Sequence, residues 1–309
     1  MLQTQSSWWL GFNLFVLVML AVDLGLFHRK AHVVTVKEAV IWSCVWISMA
    51  LFFALGLGIL RGHEMAATFV AGYLIEKSLS VDNIFIFLAL FGYFRIPPQF
   101  QHKVLFWGII GALVTRAGFI FAGVALIQRF HWVTYVFGGF LIYTAIKMVR
   151  HHGATVDPAA NPLIRLVRKV LPVTDELHGG RFILLERGRL VATPLFVALL
   201  VIELSDVLFA VDSIPAVLAI TDDQFIVYTS NVFAILGLRS LYFAVAGAMK
   251  SFVYLHSGLA AILGFVGVKM LAADVWHIPT NWALGMIALL LSAAVLASLW
   301  AARRAPKPG

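Results

Sequence analysis

Glu76-Lys-Ser-Leu-Ser-Val-Asp82-Asn83-Ile84 and Asp206-Val-Leu-Phe-Ala-Val-Asp212-Ser213-Ile214 read as two copies of one segment. Each opens on an acid and places a second acid six residues later, inside Val-Asp-(Asn or Ser)-Ile. The likeness continues outward. The next apolar run carries one arginine in each copy, Arg116 and Arg239. The run after that ends in Lys147-Met148 and in Lys269-Met270. Three features in the same order, at offsets of 122 to 130 residues, mark an internal repeat.

Composition says where such a repeat sits. Of 309 residues, 61% are hydrophobic and 12% are charged, half the charged share of a soluble domain. A water-soluble globule could not hide that much apolar surface. A soluble enzyme, a disordered chain and a nucleic-acid binder are therefore excluded. The net charge of +8 belongs instead to cytoplasmic loops of a membrane protein. Cys44 is the single cysteine, so neither an intrachain disulfide nor a thiolate cluster is expected.

Runs of about 20 apolar residues predict an all-α polytopic membrane protein. About nine spans are expected, near 8–27, 39–60, 66–93, 104–127, 131–149, 193–220, 225–247, 255–273 and 281–301. The first is not a cleavable signal, because its flanking bases, Arg29 and Lys30, come after it. The chain divides into two N-terminal helices (1–65), a three-helix repeat (66–149), a long loop (150–192), a second three-helix repeat (193–273), and a last helix with a basic tail (274–309). With the N-terminus outside, sixteen Lys and Arg fall in inner segments and two, Arg61 and Arg129, in outer ones. That bias predicts an outer N-terminus, and a C-terminus and 150–192 loop in the cytoplasm. Within the loop, Phe182–Leu185 and Leu190–Ala192 flank Arg187-Gly188 as a small hairpin would. An odd number of spans per copy sets the second copy upside down. This inverted repeat places a substrate site near the midplane, between the copies.

Eleven ionisable residues fall inside spans. They are Asp23, Glu76, Asp82, Glu203, Asp206 and Asp212, with Lys77, Arg116, Lys147, Arg239 and Lys269. Each costs ~2.5–3.5 kcal/mol at a helix centre, so function is the default explanation. The competing reading, that acids and bases pair only to hold the bundle, is strongest for the two arginines. Lys147 and Lys269 lie near span ends and can snorkel. In the sixth span, Pro215 cannot donate to the carbonyl of Val211, so a kink or unwound turn is expected at 211–215. With the third and sixth spans antiparallel, Glu76 should face Asp212, and Asp82 should face Asp206. Asn83, Ser80, Ser205 and Ser213 would add neutral oxygens.

A site of this kind is all hard oxygen. None of the ten histidines lies mid-span. That favours manganese, magnesium or calcium over copper or zinc. Two carboxylates balance a divalent cation, and crowded carboxylates retain protons, so metal–proton exchange is physically reasonable.

The segment from Gly72 to Phe85, the segment from Glu203 to Pro215, and Ser230-Asn-Val-Phe-Ala-Ile-Leu-Gly-Leu-Arg-Ser-Leu-Tyr242 resemble hallmark stretches of the TerC family of integral membrane proteins. Ala21-Val-Asp23 is similar to its Alx-like branch. The resemblance implies inverted three-helix repeats and a part in manganese homeostasis, chiefly export, in a family named for tellurite resistance. It implies a multi-pass protein of the bacterial inner membrane. It carries the metal site onto Glu76, Asp82, Asn83, Glu203, Asp206 and Asp212, with Asp23 and Ser213 beside them. The expected partners are the divalent cation, protons and the lipid bilayer, with no nucleic acid. No prosthetic group is expected; Mn2+ would be the transported ion. The alternative is a membrane scaffold or assembly factor for metallation or insertion of other proteins. An enzyme is not expected, since His-Glu-x-x-His is absent from the chain and Lys77-Ser78 diverge on a helix.

Overall fold

The computed structural model describes residues 2–27, 34–150, 176–186, 188–246, 254–276 and 279–304, with 164, 166, 169 and 172–174 between them.

Ten helices run through the described residues. They are α1 (Leu2–Phe27), α2 (Val36–Arg61), α3 (His63–Tyr93), α4 (Pro98–Arg129), α5 (Val133–Arg150), α6 (Pro194–Leu218), α7 (Gln224–Leu236), α8 (Leu238–Ala246), α9 (Leu255–Leu271) and α10 (Thr280–Arg304). Their ends follow local chemistry. Thr35 accepts from the Glu38 N–H to cap α2, and Asp223 accepts from the Phe225 and Ile226 N–H groups to cap α7. Pro98 and Pro194 open α4 and α6, where a missing N–H costs nothing. Gly62, at φ 98°, makes the turn from α2 into α3.

Helices α2, α4 and α6, and the segment Gln224–Ala244, are long and apolar enough to cross a membrane. Shorter apolar stretches run over Ser7–Val22, Ser257–Leu271 and Trp282–Ser298. The surface is the reverse of a soluble protein's. On α2, Ala39, Ser43, Trp46, Ala50, Ala54 and Leu57 turn inward at helical spacing. Leu51, Phe52, Leu55 and Ile59 of the same helix are exposed. Meanwhile Glu76, Asn83, Arg116, Asp206, Ser213 and Asn231 are buried. Apolar outside and charged inside is what a lipid solvent selects.

Two sequence expectations change. The run 225–247 is not one helix: it breaks at Gly237 into α7 and α8. No unwound turn forms at 211–215, and α6 continues through Pro215 to Leu218. Pro215 lies in the last turn of the helix. Only the bond to Val211 is forfeited before the helix ends, and the Ala219 N–H still reaches the Pro215 carbonyl.

Side-chain meetings fix the relative directions of the central helices. Helices α3 and α6 are antiparallel, since Gly72 packs on Val217 and Asn83 reaches Asp206. Helix α4 runs with α6: Gly108 meets Ile202, Arg116 meets Asp206 and Gly123 meets Leu218. Helix α3 runs with α7 in the same way, through Gly72 and Ser230, then Glu76 and Asn231, then Lys77 and Ala234. Helices α5 and α9 are antiparallel, with Gly138 against Leu271 and Ala145 against Gly264. Their backbones meet at Gly138 and Gly267, where a Cβ on either would come within 3.0 Å of the other's carbonyl oxygen. Small residues permit that approach.

The expected hairpin forms, as β1 (Ile183–Glu186) paired antiparallel with β2 (Arg189–Ala192). Gly188 takes φ 75° in its turn. The segment leading into it packs on the start of α4: Lys103 donates to the Gly180 carbonyl at 2.8 Å, and its ammonium lies 4.9 Å from the Phe182 ring. At the opposite end of α4, His131 and Tyr135 bond to Asp274, the tyrosine hydroxyl chiefly holding that exposed carboxyl below its usual range.

Candidate functional site

Glu76, Ser80 and Asn83 are spaced four and three residues apart, so they share one face of α3. Glu203, Asp206 and Ser213 share one face of α6 for the same reason. These faces meet. The register of Gly72 on Val217 and Asn83 on Asp206 sets Glu76 level with Ser213. Arg116 enters from α4 and joins the two levels. Its Nε and Nη2 donate to the two oxygens of Asp206 at 3.0 and 2.7 Å. Its Nη1 pairs with Glu76 Oε1. The same Nη1 lies 3.5 Å from Ser213 Oγ and 3.5 Å from Asn231 Oδ1. Asn231 donates to Glu76 Oε2 at 3.0 Å, and Asn83 donates to Asp206 Oδ1 at 3.3 Å.

Glu76 is fully buried, and Arg116 and Asp206 are 2% and 5% exposed. Breaking a buried ion pair by removing one partner costs ~3–5 kcal/mol, because the other charge is left without compensation. Not every oxygen is satisfied, however. Asn83 Oδ1 and Ser80 Oγ are buried without a hydrogen-bond partner, and Glu76 Oε1 has only its ion-pair contact with Arg116. Buried acceptors of this kind are rare. Asn83 Oδ1 and Ser80 Oγ are hard oxygens on the face that carries Glu76.

The other expected residues make no hydrogen bond to this network or lie beyond description. Glu203 directs its carboxylate at Gly111 of α4, into the space that a Cβ there would fill. Asp212 does not face Glu76. It turns to α5 and accepts from Thr144 Oγ1 at 3.0 Å. One residue before Ser213 is about 100° of helix rotation, enough to carry Asp212 off the shared face. The side chains of Asp23 and Asp82 lie outside the described residues. The expected Glu76–Asp212 pairing is thus replaced by Glu76 and Asp206 on a common arginine. Among the described residues, no three His, Cys, Asp or Glu side chains stand close enough to form a ready metal cluster.

A cavity of about 10 Å3, room for roughly one water, adjoins the network; Asp206, Gly108, Ala112, Phe87 and Arg239 are among its lining residues. Lys77 points the other way and donates to the Ala234 carbonyl at 3.3 Å, just before the Gly237 break. A Cβ at Gly237 would stand 2.6 Å from the Lys77 ammonium. Sequence reasoning did not single out Asn231, Thr144 or Gly111 as site residues. Asn231 had a signal, since a buried amide beside a mid-span arginine needs partners; Thr144 and Gly111 had none.

The model described as "Integral membrane protein TerC family" matches residues 61–306. An uncharacterized membrane protein of Myxococcus xanthus is 54% identical over 298 residues, covering 96% of this chain and 93% of the relative. "Putative membrane-bound redox modulator Alx" of Escherichia coli (strain K12) is 45% identical over 301 residues, 94% of each chain. An uncharacterized membrane protein of Rickettsia bellii is 38% identical over 291 residues, 94% of this chain and 96% of the relative. No solved structure matches. The chain belongs to the TerC family of integral membrane proteins.

Proposed function

We propose that this chain is a transporter that carries hard divalent cations, with Mn2+ the favoured cargo, out across a bacterial inner membrane in exchange for protons. It works without a prosthetic group and is not an enzyme. The observation that carries the reading is the meeting of Glu76 and Asp206. Two carboxylates from two oppositely directed helices are held in one buried site, beside acceptors on Asn83 and Ser80 that have no partner. A scaffold gains nothing from unsatisfied buried oxygens, whereas a site that must admit and release a cation needs them.

The proposed architecture is nine spans, with α7 and α8 together forming the seventh. Residues 66–149 and 193–273 are the two inverted copies. Glu76 and Asp206 are equivalent in the copies, as are Asn83 and Ser213. The inversion is supported by direction: α3 opposes α6 and α5 opposes α9, while α3 runs with α7 and α4 with α6. A two-fold axis in the membrane plane requires that set of relations. The proposed orientation puts the N-terminus outside. It rests on the loop charges, and on Lys103 meeting Gly180 at one end while His131 meets Asp274 at the other.

The test is flux. Purified protein in proteoliposomes should move Mn2+ into an entrapped metal-sensing dye, faster against an opposing proton gradient. Asp206→Asn should cut the rate more than about tenfold, the usual scale for losing a ligand-shell group. Wild-type vesicles no leakier to Mn2+ than empty ones would contradict transport and favour the scaffold.

A further inference from the structure

We infer that Arg116 is the resident counter-ion of the buried site, and that by occupying the carboxylates it sets the charge a cation must carry to enter. The inference rests on the cation-site reading above and goes beyond it by assigning selectivity to one side chain.

Three of the four carboxylate oxygens of the pair accept hydrogen bonds, and the fourth, Glu76 Oε1, has the ion-pair contact with Arg116 alone. Arg116 takes both oxygens of Asp206 and Oε1 of Glu76, and Asn231 takes Oε2. An incoming cation therefore finds two neutral acceptors without a partner, Asn83 Oδ1 and Ser80 Oγ, and a Glu76 Oε1 that accepts no hydrogen bond but is covered by the guanidinium. To reach a carboxylate it must displace the guanidinium. Three of the guanidinium's contacts are to carboxylate oxygens, and charge-assisted contacts are roughly twice as strong as neutral ones. A monovalent cation would exchange one positive charge for another, losing the arginine's directional bonds and its own hydration shell. A divalent cation brings twice the charge to the same two oxygens and can prevail. The displaced guanidinium has neutral oxygens at hand, with Ser213 Oγ and Asn231 Oδ1 each 3.5 Å from Nη1. Arg116 stays tethered to α4 throughout. It can therefore reoccupy the site each time the cargo leaves, so that two bare carboxylates are never exposed together in the membrane interior.

The experiment is Mn2+ binding to the purified full-length protein by calorimetry, with and without Na+ as competitor. Arg116→Gln removes the tethered charge and keeps a polar side chain of related shape. A unit charge a few ångströms away is worth enough at an effective dielectric of about 20 that Mn2+ should bind at least about tenfold tighter to this variant. Na+ should compete with Mn2+ in Arg116→Gln and not in the wild type. Arg116→Lys should fall between them, since an ammonium cannot fork across both oxygens of Asp206. Loss of sodium exclusion is a readout that general loosening of the bundle would not produce. Equal or weaker Mn2+ binding by a well-folded Arg116→Gln, or unchanged exclusion of Na+, overturns the inference. If Arg116→Gln does not fold, Arg116→Lys carries the test: tighter Mn2+ binding supports the inference and unchanged binding overturns it. Absence of Mn2+ binding in every protein, wild type included, would overturn the cation site itself. Wild-type binding that is indifferent to residue 116 overturns only the role given to Arg116.

Discussion

Arg116 and Arg239 occupy matching places in the proposed repeat, yet their helices differ. Helix α4 is continuous over 32 residues, and Arg116 is fixed at its middle by two carboxylates. The corresponding run of the second copy breaks at Gly237, leaving Arg239 on the short α8, where it lines the cavity that adjoins Asp206. Lys77 spans that break by donating to the Ala234 carbonyl, one of those freed at the end of α7. One arginine is thus a fixed part of the site and the other belongs to a joint beside it. The divergence teaches that sequence equivalence in a repeat does not carry equivalence of role. In discontinuous membrane helices the unwound turn is where backbone meets the substrate path.

The comparison breaks most decisively at its arginines. Arg116→Ala should lower stability by ~3–5 kcal/mol, since two buried carboxylates lose their partner. The loss would appear as a lower melting temperature in detergent, and added Mn2+ should recover part of it. Arg239→Ala should cost less than half as much, because its side chain is only half-buried. Equal losses would mean the two arginines are structurally interchangeable after all.

Glycines sharpen the contrast at a smaller scale. Gly237→Ala forces a Cβ against the Lys77 ammonium and should cost ~1–3 kcal/mol, as overpacking does. Gly118→Ala on α4 meets nothing within 4 Å and should be neutral or stabilising by up to about 1 kcal/mol. The check is paired melting curves. A harmless Gly237→Ala would show that the break is not held by Lys77.

The smallest effect is expected at Asp212. Thr144 Oγ1 can still donate to the amide oxygen of Asp212→Asn, and the side chain is off the shared face. Mn2+ affinity should change by less than about threefold, within the range of a modest through-space charge effect. A much larger loss would return Asp212 to the cation's immediate surroundings.

Much of this was legible in the residues themselves. Apolar runs and sparse charge gave a polytopic helical membrane protein, because in lipid only satisfied backbone can span. The hairpin at 183–192 was legible from Arg187-Gly188 between two apolar runs. The acids were legible as a group, since ionised side chains in lipid need a reason. Their pairing was not. Running the third and sixth spans antiparallel put Glu76 opposite Asp212, but the helices settle one residue away, and one residue turns a side chain by about 100°. Nor could periodicity show that Arg116 would reach both Glu76 and Asp206, because a long flexible side chain spans more than one level. The break was sought at Pro215, where a donor is missing. It fell at Gly237, where a Cβ would stand 2.6 Å from the Lys77 ammonium and 3.2 Å from Trp46 Cβ, contacts set by tertiary neighbours rather than by the local sequence.

Calorimetric titration of Mn2+ into the purified protein and into Glu76→Gln and Asp206→Asn tests the shared site most directly. A single site built from both copies predicts one Mn2+ per chain, with either substitution removing measurable binding. Two independent sites, or one variant that binds as the wild type does, would contradict it.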